Sequence, residues 1–123
     1  MAETNNSIGK FKTAAKYYKK LATDYPSDKR SADALYNAAA LNKGLENEVE
    51  AIRLFSAYVK FYPNSEIAGD AQLEKANLLE KINKYAESAA AYDFYVSNFK
   101  KNSNQVAYAA ARAAEIKYNH VDR

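Results

Sequence analysis

The chain has 123 residues, with 18 Lys and Arg against 15 Asp and Glu, for a formal charge of +3. That length suits one domain with a continuous core, and three Gly with two Pro are too few for a β-rich or disordered chain. The lack of cysteine excludes a disulfide framework and a thiolate metal site without choosing a compartment, and no apolar run approaches the ~20 residues that span a bilayer.

Apolar spacing predicts six helices, near 7–24, 28–43, 46–61, 65–81, 84–98 and 103–120. The first carries Ala15, Tyr18, Ala22 and Tyr25 at i, i+3, i+7 and i+10, with Ala14, Tyr17 and Leu21 in the adjoining row. Both rows fall on one side of a 3.6-residue helix. Lys12, Lys16, Lys19 and Lys20 share another side, which reads as a solvated face in preference to a nucleic-acid or membrane surface. Pro26 disfavours helical geometry in Tyr25 and ends the helix.

Asp28 is a good N-cap for the second helix, whose Ala34, Ala38, Ala39 and Leu41 permit close backbone approach. Lys43-Gly44 closes that helix with a residue that tolerates left-handed geometry. The third begins with Glu46, Glu48 and Glu50, which favour the positive end of the helix dipole. It continues with Ile52, Phe55, Val59 and Tyr62, beside Ala51, Leu54 and Tyr58.

Pro63 repeats the stop and Ser65 the cap. The fourth helix carries Ala68, Ala71, Ala76, Leu78 and Leu79. The fifth carries Ala89, Tyr92, Val96 and Phe99, beside Ser88, Ala91 and Tyr95. Lys100-Lys101-Asn102 replaces the proline, which predicts a turn longer by one residue, with Ser103 as the displaced cap. Val106, Ala109, Ala113, Ala114 and Ile116 mark the sixth helix.

Tyr25, Tyr62 and Phe99 recur every 37 residues, and so do the stripes that precede them. A fixed period of this size marks stacked helical pairs. The expected fold is therefore an all-α, right-handed α-solenoid of about six antiparallel helices, one domain over 1–123 with repeat units near 7–43, 44–81 and 82–120. The array opens on a second-type helix and closes on a first-type one. Ile8, Phe11, Ala15 and Tyr18 would then lack a preceding neighbour, which leads to the expectation of a fragment of a longer array or of end-to-end pairing between copies.

The Tyr-Pro-x-Ser punctuation, the small residues Ala39, Ala76 and Ala114, the alanines Ala14 and Ala51, and the aromatics Tyr18, Phe55 and Tyr92 resemble the tetratricopeptide repeat. The longer unit is similar to its bacterial cell-envelope variety, as in the periplasmic coordinator of the Tol–Pal system and the lipoprotein of the outer-membrane assembly machine. The usual tryptophan is absent, with Leu35, Gln72 and Ala110 in its place. The resemblance implies a periplasmic or envelope location; a native start at Met1 would imply a cytoplasmic one.

It also implies a non-catalytic scaffold that binds a partner peptide or helix in a concave groove lined by first-type helices. Mapped onto this sequence, the inward residues are Asp33, Tyr36, Asn37 and Ala40, then Asp70, Leu73, Glu74 and Asn77, then Tyr108, Ala111, Arg112 and Glu115. Four acids against one arginine favour a basic partner. The alternative is a structural module that associates through its terminal helices. Residues 31–80 carry four basic and eight acidic side chains and both flanks are basic, a pattern that can steer either kind of contact. No cofactor loop or nucleophile set is recognisable, and His120, the one histidine, has no evident partner. A divalent ion at Asp70, Glu74 and Asn77 is the weak remaining enzyme reading.

Overall fold

The computed structural model describes residues 13–14, 16–21, 23–25 and 27–121. All regular structure among them is helical, with no strand, as the period predicts. Helical residues 13–14, 16–21 and 23–24 form α1. Then come α2 (Lys29–Gly44), α3 (Glu48–Phe61), α4 (Ala68–Lys81), α5 (Tyr85–Asn98) and α6 (Ser103–Ile116), followed by a π-helical segment, Lys117–Val121. Ile8, Phe11, Lys12, Ala15, Ala22 and Pro26, named above, lie outside the described residues.

The chain divides into two compact units, Met1–Pro63 and Asn64–Arg123. In the first, α2 packs on α3 around Leu35, Ala38, Ala39, Leu54, Phe55 and Tyr58, all essentially buried. Tyr36 meets Phe55 and Tyr58 edge-on, each at 5.5 Å. Ser31 Oγ donates to the Leu21 carbonyl at 3.2 Å, which ties α2 to α1. Tyr17, the counterpart of Leu54, is 65 % exposed, and Leu21, the counterpart of Tyr58, is only half-buried, so α1 does not reproduce the burial of that row. The only ring described beside Tyr17 is Tyr18.

In the second unit α5 packs against both α4 and α6. Ala76, Leu79, Ala89, Tyr92, Tyr95, Ala109, Ala113 and Ile116 form its core. Buried polar side chains cross between helices with their bonds made, which is the condition for placing them there. Ser88 Oγ donates to the Ala76 carbonyl at 2.8 Å, and Gln72 Nε2 donates to the Ala91 carbonyl at 2.9 Å. Gly69 belongs to the same contact: a Cβ there would stand 3.1 Å from the Tyr95 ring.

The helix stops fall where the stripes place them. Tyr25, Tyr62 and Phe99 each donate their N–H to the carbonyl four residues back, at 2.9, 2.8 and 2.8 Å. Phe99 does so with lysine in place of proline after it, so the stop belongs to the turn and not to the proline alone. The starts require a correction. Asp28 caps α2 by accepting from the Arg30 N–H at 2.8 Å. That bond first, then the Arg30 guanidinium, holds the Asp28 carboxyl below its ordinary range. In the third copy the cap is Asn102, which accepts from the Gln105 N–H at 3.2 Å; Ser103 is the first helical residue. Asn102 stands two full periods after Asp28, so the third copy is in step. The second copy deviates: Ser65 closes a turn through the Ile67 N–H at 3.3 Å, and α4 starts at Ala68. The third-copy equivalents of Gln72 and Ala76 are accordingly Ala109 and Ala113, both buried, and not Ala110 and Ala114, both exposed.

The turns after α2 and α4 share one geometry. Glu46 donates to the Lys43 carbonyl and Asn47 to the Asn42 carbonyl; Asn83 donates to Glu80 and Lys84 to Leu79. This is the paired 5→2 and 6→1 pattern of a Schellman ending. The left-handed residues are Glu46 (φ 60°) and Asn83 (φ 66°). Gly44, expected to fill that role, is the last residue of α2 with no positive φ, and Glu46 precedes α3, leaving Glu48 and Glu50 in its first turn. His120 also has a partner: it stacks on Tyr85 at 3.8 Å and 7°. The Lys117–Asp93 ion pair at 2.6 Å further fastens the π-helical segment to α5.

Candidate protein-binding face

The expected inward residues fall in both units, and each unit presents its own set. In the first, Asp33 and Asn37 are exposed on α2, and Tyr36 is half-buried by its ring contacts. In the second, α4 presents Asp70 and Asn77 exposed, with Leu73 and Glu74 half-buried.

On α6 the corrected register matters. The residues in step with Asp70, Leu73, Glu74 and Asn77 are Ala107, Ala110, Ala111 and Ala114, all exposed. Their i, i+3, i+4, i+7 spacing makes a flat, low strip along the helix. Tyr108, Arg112 and Glu115 lie one position further on and reach back toward α5 and α4. Tyr92, fully buried on α5, donates its hydroxyl to Asn77 Oδ1. The Tyr108 ring meets Tyr92 edge-on at 6.1 Å and is 47 % exposed. Arg112 pairs with Glu80 of α4 through one nitrogen and with Glu115 Oε2, at 2.6 Å, through the other.

The electrostatics follow from this packing. Burial first, then Tyr108 and Glu80, pushes the Tyr92 phenol well above its ordinary value, and the Arg112 guanidinium opposes the shift. The Glu80 carboxylate, above all, holds Arg112 charged. Burial, with Asp70 second, raises Tyr95. Arg112 is thus matched by two carboxylates, and Asp70 and Glu74 leave the α4 side acidic. Such an arrangement can accept hydrogen bonds from a cationic segment and stack a side chain on Tyr108.

Sequence reasoning placed Asn77, Tyr108, Arg112 and Glu115 on one face, and the structure brings them together through Tyr92. It missed Glu80. The signal was present: Glu80 stands at the repeat position held by Lys43 and Lys117, so the charge reverses in the second copy alone. Among the described residues no three His, Cys, Asp or Glu converge as a metal site, and no helix is long and apolar enough to cross a membrane.

A family model described as tetratricopeptide repeat matches residues 1–28 and 33–65. Over these two segments the chain carries tetratricopeptide repeats. The matched segments run through the first two Tyr-Pro stops, and the 37-residue step extends the same helical pair into the third copy. Tetratricopeptide repeats generally mediate protein–protein interactions and are typically non-enzymatic. No curated protein matches the chain.

Proposed function

We propose that this tetratricopeptide-repeat chain is a scaffold that holds a basic segment of a partner protein against the α4–α6 face of its second unit. The observation that carries the reading is the Asn77–Tyr92–Tyr108 and Glu80–Arg112–Glu115 network. It fixes the acidic face of α4 to α6, whose alanine strip lets a partner backbone come close. A face fixed in advance costs little ordering on binding. Asp33, Tyr36 and Asn37 form a separate set on α2 of the first unit. The long repeat unit supports membership of the cell-envelope variety, and with it a periplasmic or envelope location.

Charge reversal tests the reading. Asp70→Lys with Glu74→Lys should weaken binding of a labelled Lys/Arg-rich peptide by about tenfold or more at low salt, read by fluorescence anisotropy with helix content checked by circular dichroism. Equal affinity in the folded double variant would overturn it. A second reading, association of copies through the terminal segment, draws on the exposed Tyr118 and Val121. A molar mass that stays monomeric by light scattering across a wide concentration range would remove it.

A further inference from the structure

We infer that the cleft of the first unit formed by α1, α2 and α3 binds a phosphate dianion, free or as a monoester. It has a volume of about 370 Å³. Lys16 and Lys19 enter it from α1 and Arg53 from α3, and Glu50 is the one carboxylate among its described lining residues. The described lining therefore carries an excess of two positive charges, which one dianion neutralises and a single carboxylate does not.

The existing contacts show where such an anion sits. Glu50 divides its oxygens between two of the cations, with Oε1 3.7 Å from Lys19 Nζ and Oε2 3.1 Å from Arg53 Nη1. Lys16 has no carboxylate partner among the described residues. Glu50 is thus an internal anion that covers two of three available charges. A tetrahedral phosphate presents oxygens in enough directions to meet all three, and Arg53 suits it through its planar fork.

The neutral groups are arranged for the same task. Asn42, 3 % exposed, donates to the Ala38 carbonyl and accepts from Asn47 Nδ2 at 3.1 Å. That bond fixes Asn47 and leaves its second amide hydrogen for a ligand. Asn47 is also the N-cap of α3 with no side-chain cap bond, so its amide is not committed to the helix end. Buried Leu54 closes the apolar side. The lysines of the first helix, read from sequence as a solvated face, here acquire a specific use for Lys16 and Lys19.

The test is calorimetric titration of the intact chain with inorganic phosphate and, separately, with phosphoserine, against sodium chloride at matched ionic strength. Saturable phosphate binding is expected. Lys16→Gln and Arg53→Gln should each weaken it by about tenfold, the scale of one charged hydrogen bond. Glu50→Gln, which removes the competing carboxylate, should tighten it. Phosphoserine binding with the same dependence on these variants identifies the ligand as a monoester; phosphate binding alone identifies the free ion. A response no larger than that of chloride, or affinities unchanged in folded Lys16→Gln and Arg53→Gln, overturns the assignment. Weaker binding in Glu50→Gln also counts against it, because Glu50 would then be organising the cations and not competing for them.

Discussion

Glu46 and Asn83 stand one repeat apart and hold the same left-handed backbone, at φ 60° and 66°, in the turns that follow α2 and α4. In both residues the Cβ crowds the following carbonyl, but the short polar side chain of asparagine offsets this by local hydrogen bonding and that of glutamate does not. Asn83 also accepts from the Tyr85 hydroxyl at 2.8 Å. Replacing Glu46 with Gly should therefore stabilise the fold by about 0.5–1 kcal/mol, the scale of a relieved left-handed residue less the added chain entropy of glycine. Urea unfolding of the variant checks this; a lower midpoint with an unchanged slope would show that Glu46 makes a contact worth more than its strain.

Gly69 sets the opposite case. Its missing side chain lets Tyr95 lie against α4, and alanine would bring a Cβ to 3.1 Å from the ring and 3.5 Å from Phe99. Alanine favours a helix over glycine by about 1 kcal/mol, so an open site would gain. Tyr95 has little room to yield: it is buried, and its hydroxyl donates to Gln105 Oε1 at 2.8 Å. Gly69→Ala is expected to lower stability by about 1 kcal/mol net, in the range of overpacked cores. Thermal unfolding followed by circular dichroism gives the sign directly.

The buried phenols predict an alkaline limit. Burial raises Tyr92 above the ordinary tyrosine value of 10.0, and burial also raises Tyr62 and Tyr95. Each binds its proton more tightly folded than unfolded. Their stabilisation is complete below 10.0 and is lost as pH rises past it, because the unfolded chain ionises first. Urea midpoints should fall between pH ~9 and ~11, and the Tyr92→Phe variant should fall less steeply over that interval. An identical slope in the variant would show that Tyr92 does not carry this dependence.

Much of the fold was legible because the period fixed it. The stops at Tyr25, Tyr62 and Phe99, the cap at Asp28 and the buried Phe55 and Tyr92 all follow from spacing and propensity. The errors came where two local signals competed. Gly44 is the better left-handed residue by chemistry, yet the turn bonds place Glu46 there. Ser103 is a good cap, yet Asn102, one residue earlier, has its side-chain Oδ1 within reach of the Gln105 N–H. That one-residue difference moved the α6 set off the repeat register. The pairing of Arg112 with Glu80 joins residues 32 apart and depends on both α4 and α6 packing on α5. No local pattern contains it.

The central claim is that the α4–α6 face receives a basic protein segment. Amide chemical shifts of the isotope-labelled chain, followed during titration with a Lys/Arg-rich peptide, test it most directly. The account predicts saturable shifts gathered at Asp70, Glu74, Asn77, Ala107, Tyr108, Ala111 and Arg112. Shifts confined to α1 and α3, or none at peptide concentrations well above the protein, would contradict it.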